Sequence, residues 1–315
     1  MLESAFPPRA GGSDQLLGLV PYLLGYHPTD ALVAIIHQPE RRWPHAISLP
    51  LNEPAEALLE HLALRIRDRT AGIILIGYGP HNQRRKIIEI SEVLRLLVPV
   101  FGRFLYDDGV LTCLTPQCDC TPADGIAVDP RSTQTAARMA MIGRVALPSR
   151  QDLHTLVAPD PVAQTETQAA LDTLDENGAL SETDVASLMA PAQTGERLTA
   201  DQVARLCLAL HDKDRLTAAW HQTSGRLWQR ELWLDVTRRA PQQHVVAPAS
   251  LAAWSAWRCG QDALAEAALD RANKVDPADG FARIVSLIVG AHLPAHRVRW
   301  PVAQSLDTPS SRSHP

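Results

Sequence analysis

A chain of 315 residues, 45% hydrophobic and 21% charged, carries enough apolar material for two cores and is not a disordered one. No uninterrupted apolar run reaches the roughly 18–20 residues of a spanning helix, which excludes a transmembrane helix. A formal charge of −5 argues against non-specific nucleic-acid binding as the main activity. Met1 to Asp14, with Arg9 but no apolar run behind it, does not read as a secretory signal.

Charge and alanine divide the chain near residue 150. Residues 1–150 hold 15 basic and 15 acidic side chains, whereas residues 151–315 hold 15 basic and 20 acidic. Alanine, the best helix former, rises from 15 to 29 across the same line. The expected organisation is a disordered start (1–13), an α/β domain (14–146), an all-helical domain (147–303) and a disordered tail (304–315).

In the first part, Asp14 can cap a short helix over Gln15 to Tyr22. Ala31 to Ile36 is a short apolar run between prolines, suited to a buried strand, and Ala46 to Leu49 returns beside it. Leu58, Leu59, Leu62 and Ile66 recur at helical spacing over Glu53 to Arg69, with Asn52 as the cap. Gly72 to Gly79 is apolar on both faces, as a covered central strand must be. A second helix covers Gln83 to Leu97. A hairpin then turns at Asp107-Asp108-Gly109 between Arg103–Tyr106 and Val110–Leu114. Strand, strand, helix, strand, helix, hairpin is an α/β order.

The second part reads as helices. Arg131 to Gly143 comes first, and Ser149 is a natural N-cap for the next. From Asp152 to Asp201 ten acidic residues face one basic, Arg197, the signature of solvated helix faces and joining loops. Helices are expected over Ala200 to His211, Asp212 to Ala219, Ser224 to Arg239, Pro248 to Cys259, Asp262 to Lys274 and Gly280 to Gly290. Gly260, Ala265, Leu269, Ala272 and Pro277, with Ala253 before them, are spaced as in a tetratricopeptide-like helical hairpin.

Three segments in order carry a family likeness. Pro21-Tyr22-Leu23-Leu24-Gly25-Tyr26-His27-Pro28 opens it, Cys113 to Gly125 follows, and Gly143 to Arg150 closes it. The chain resembles the actinobacterial domain of unknown function 4192 family, and the C-terminal run Leu234 to Pro241 fits the same pattern. Where the family has adjacent cysteines before a proline, this chain has Cys118-Asp119-Cys120-Thr121-Pro122. The resemblance implies a cytoplasmic protein without an established activity, and it carries over no catalytic residues.

Four candidate sites remain. Cys113, Cys118 and Cys120 stand as C-x4-C-x-C in a polar loop, whereas free cysteines prefer cores. Zinc would suit them if a distant histidine (His37, His45 or His81) completed the four ligands; a thiol or redox role and a purely structural role are the alternatives. Gly77, Gly79 and His81 at a strand end, with Arg84, Arg85 and Lys86 in the next helical turn, could hold a small anion or nucleotide for an enzyme. Cations in that turn oppose the helix dipole by roughly 0.3–1 kcal/mol each, so they invite an anion unless they merely face solvent. His27, locked before Pro28, reads as a hydrogen-bonded structural residue. Trp228, Trp233, Trp254 and Trp257 could form a protein-partner surface on the helical half, or they could be core. No G-x-S-x-G, H-E-x-x-H or Walker A pattern occurs. The leading expectation is therefore a protein-interaction or regulatory module without a self-contained catalytic centre.

Overall fold

The computed structural model describes residues 12–37, 44–66, 72–176, 184–291, 295 and 298. They form two compact units. The first holds the described residues up to Ala158 together with Gln261–Ala268 and 286–291; the second holds Pro159–Gly260 with Leu269–Val285 and the described residues beyond 292. The expected disordered ends lie outside the described residues, except that Gly12 and Ser13 already belong to the first helix cap and helix.

The first unit is built on one six-stranded sheet in the order β2-β1-β3-β4-β5-β6. Its strands are β1 (Ala31–His37), β2 (His45–Pro50), β3 (Gly72–Tyr78), β4 (Val100–Asp107), β5 (Val110–Cys113) and β6 (Ile126–Ala127). The predicted order of elements is observed, with β6 added. The sheet is mixed: β3 and β4 pair in parallel across a helical crossover, and the other neighbours are antiparallel. β1 and β3 are buried along nearly their whole length, which is why they read as continuous apolar runs.

Helices cover both faces. On one, α2 (Ala55–Arg65) and α3 (Arg84–Leu94) bring Leu58, Leu62, Ile87, Ile90 and Leu94 onto Leu32, Ala34, Ile73, Leu75 and Leu105. Alternation then turns Val33, Ile35, Ile74, Ile76 and Tyr78 to the other face. There α1 (Ser13–Leu24) packs on β2 and on α4 (Gln134–Met141). The α1–α4 contact is close: a Cβ added at Gly18 would stand 1.9 Å from Thr133 Oγ1. Thr133 is also the N-cap of α4, accepting from Ala136 N–H, so that helix starts three residues later than Arg131. The hairpin between β4 and β5 closes on Asp108 and Gly109, both at positive φ (43° and 81°), as a two-residue primed turn requires.

α5 (Arg150–Val157) begins at the predicted Ser149 with a full capping box to Asp152. It belongs to the first unit, so the observed division falls after Ala158 rather than after residue 146. The reason lies in packing: Leu153 and Val157 are buried, and Leu153 lies 3.9 Å from a Cβ placed on Gly25, the left-handed C-cap of α1.

The second unit is helical: α6 (Pro161–Glu176), α7 (Val185–Gln193), α8 (Ala200–Ala209), α9 (Lys213–Gln222), α10 (Leu227–Arg239) and α11 (Val246–Arg258). α12 (Asp262–Val275) and α13 (Gly280–Gly290) follow, each shared by sequence between the two units. Within the acidic stretch, α6 buries Ala163, Thr167, Leu171 and Leu174, one helical face at spacings of four, four and three. No helix among the described residues is long and apolar enough to cross a membrane.

Candidate metal centre

The cysteine loop joins β5 to β6 and is held at both ends before any ligand is considered. Arg103 on β4 is buried; its Nε donates to Leu114 O at 2.6 Å, and its backbone N–H donates to Thr115 Oγ1 at 3.0 Å. The same guanidinium reaches Ser91 Oγ and Glu92 on α3, and this hydrogen bond holds the Glu92 carboxyl below its usual range. Thr121 Oγ1 accepts from Cys113 N–H at 2.9 Å, drawing the far side of the loop back to the strand end. Ser13, the first residue of α1, donates to Cys120 O at 3.2 Å. Gln117 takes φ 57° just before Cys118, the bend that returns the chain toward Cys113.

These restraints bring three sulfurs together. The Sγ atoms of Cys113, Cys118 and Cys120 all lie within 4.8 Å of one another; the first two residues are half-buried and Cys120 is exposed. Hydrogen bonds from the Cys120 side chain, aided by its backbone N–H and by Cys113, hold the Cys118 thiol below the ordinary thiol range. Burial pushes the Cys120 thiol up, and its bonds to the other two add to that shift. Among the described residues no histidine or carboxylate joins the group. The expected histidine ligand is not supplied by His45, held 3.2 Å from Asp262, nor by His81 in the exposed turn before α3. His37 ends β1 and stays outside the cluster.

The strand end at Gly77 is built by packing. A Cβ on Gly77 would sit 2.2 Å from Ile87 Cδ1, so this glycine lets α3 lie against β3. Gly79 faces Leu51 Cδ2 at 3.0 Å. Lys86 is spent on carbonyls, donating to Leu51 O (2.9 Å) and Glu53 O (3.1 Å). His81, Arg84 and Arg85 are exposed. The glycines and the lysine thus have structural work that a phosphate cradle would need undone.

The first and third family segments meet. Tyr26 and Leu147 form a parallel bridge in which His27 N–H donates to Leu147 O (2.9 Å) and Leu147 N–H to Gly25 O (2.8 Å). Pro21 and Leu24 are buried within α1, with Tyr22 and Leu23 half-buried beside them, and Pro28 is buried after the bridge. Burial, then the nearby Arg131, holds the His27 imidazole below its ordinary value. Beyond this bridge the first unit has a cavity of about 170 Å³ lined by Tyr26, His45, Glu53, Arg150, Asp262 and Glu266. Burial pushes the Tyr26 phenol up despite a hydrogen bond with Ser48. Sequence reading misses this pocket, because His45 and Asp262 are 217 positions apart and nothing local pairs them.

The tryptophans resolve differently from a groove. Trp233 and Trp254 are wholly buried and Trp257 is 2% exposed; only Trp228 is half-buried. Trp228 and the exposed Leu227 beside it offer two side chains, far short of the about 800 Å² per partner of a standard interface. Two of the buried indoles, Trp233 and Trp254, donate their N–H groups to Thr223 within the core.

A mixed sheet clad in helices, a helical second unit and a surface loop of three convergent thiols define a two-unit protein with one cluster of soft donors. The family profile for a domain of unknown function (DUF4192) matches residues 14–296, so the chain belongs to that family. No curated protein and no solved structure matches the chain.

Proposed function

We propose that this protein is a metalloprotein that holds one thiophilic divalent ion, zinc by preference, on Cys113, Cys118 and Cys120. The observation carrying the reading is that three ligand sulfurs lie within 4.8 Å of one another. Tetrahedral zinc with bonds near 2.3 Å places its sulfurs about 3.8 Å apart, so loading needs a contraction of about 1 Å at most. Three thiols gathered at a surface, one of them exposed, run against the preference of free cysteine for apolar cores. Bound there, the ion ties the β5–β6 loop to α1 through the Ser13–Cys120 bond, an ordering role that needs no substrate.

The test is elemental analysis of reduced, freshly purified full-length protein. About one zinc per chain is expected, falling at least tenfold in Cys118→Ser and Cys120→Ser. Cys259→Ser is the control, because that thiol bonds Gly225 O elsewhere in the chain. Zinc well below one per chain in the native protein, not restored by dialysis against zinc, would sink the reading.

A further inference from the structure

Zinc asks for four ligands and this loop offers three, so the fourth position is the informative one. The cluster admits neither His45 nor His81, and Asp119 and Asp124 in the same loop do not fall within its radius. Cys120 is exposed, so the cluster is reached from solvent. Resting on the metal reading above, we infer that the fourth vertex is a binding position for a small-molecule thiol.

Charge and softness select the ligand class. A divalent ion on three thiolates carries a net charge of −1, and Asp119, between two of the ligands, adds to the negative field. Phosphates and carboxylates offer hard oxygen donors, a poorer match than sulfur for an ion already held by three thiolates. A thiol suits it: a fourth sulfur completes the tetrathiolate set of ordinary structural zinc sites. On binding, the thiol S–H bond breaks and its proton goes to solvent. The sulfur lone pair forms the new bond to the metal, and the water that held the vertex leaves. The bound sulfur is then a thiolate at neutral pH, since coordination deprotonates a thiol outright. The exposed setting leaves room for the rest of the molecule.

Cobalt substitution reads both layers separately. Reduced full-length protein is loaded with Co2+ without added thiol, and 2-mercaptoethanol is then titrated in, with ethanol as the sulfur-free control. The expected result is a sulfur-to-cobalt charge-transfer band that rises by about one third, as three sulfurs become four. One proton is released per thiol bound, read with an indicator dye in weak buffer, and ethanol leaves both signals unchanged. If the band is present but 2-mercaptoethanol changes neither intensity nor proton count, the vertex is closed by the protein and the inference falls. A four-sulfur band before any thiol is added, with a doubled mass in sedimentation, assigns the vertex to a second copy and equally overturns it. Absence of any charge-transfer band on cobalt addition defeats the metal reading itself, a result distinguishable from the other two.

Discussion

The two units differ in what they bury beside their charges. In the first, a full charge goes inside: Arg103 is 6% exposed and spreads its donors over Leu114 O, Ser91 Oγ and Glu92. The second also buries an arginine, Arg239 (4% exposed), on Leu198 O and Asp235, but it adds a set of neutral indoles, and one residue receives two of them. Thr223, itself buried, accepts Trp233 Nε1–H on its Oγ1 (3.0 Å) and Trp254 Nε1–H on its carbonyl (2.8 Å). Trp254 also stacks with Trp220 (5.4 Å) and Trp257 (5.0 Å). A charge ties together elements that chemistry can use, whereas an aromatic cluster fills volume.

The largest effect should come from emptying the aromatic core. Trp254→Ala should cost about 3–5 kcal/mol of stability by denaturant unfolding, while leaving the cobalt charge-transfer band of the folded protein intact. If both were lost together, the two units would not be energetically separable. Next is Gly18→Val, which drives a side chain into Thr133 Oγ1 at the α1–α4 crossing. About 1–3 kcal/mol should be lost, as over-packing does, seen as a lowered midpoint with unchanged slope.

Arg103→Met removes a buried donor set and leaves Leu114 O and Ser91 without it. About 2 kcal/mol is expected, with metal affinity falling as the loop base loosens; a loss of stability without loss of affinity would mean the loop holds itself. Thr223→Val spares the carbonyl acceptor and removes only the hydroxyl, so about 1–2 kcal/mol should be lost, chiefly from the stranded Trp233 N–H.

The smallest effect is a pH slope. The His27 pKa is lowered from 6.5, so the folded state resists a proton that the unfolded state accepts. Its contribution is full above 6.5 and is lost as pH falls through the depressed value. His27→Gln should flatten the stability-against-pH curve in that acid window and leave neutral stability nearly unchanged.

Local chemistry was what the sequence exposed well. Asp108-Gly109 announced its turn and Ser149 its helix, because each depends on neighbours a few positions away, whereas the cysteine spacing left a structural role open beside a metal one. What escaped was decided by distant partners. Arg103 is one more arginine in a strand until Ser91, Glu92 and Leu114 surround it. Helical spacing placed Trp254 and Trp257 on one face, but nothing local said that face would be covered. The run Gly77 to Asn82 looked like an anion cradle because a glycine needed for packing and one needed for a ligand are spelled alike.

The bridge between Tyr26 and Leu147 has a consequence for synthesis. Its two strands are 121 residues apart in the chain, and ribosomes add about 5–20 residues per second. The first helix, with Leu16, Leu17, Leu19, Val20 and Leu24 destined for burial, therefore emerges about 6–24 s before Leu147 can dock beside it. During that interval the nascent helix can meet β2 but not the Leu147 segment, so its apolar surface stays partly uncovered and chaperone demand should be concentrated early in translation rather than at release.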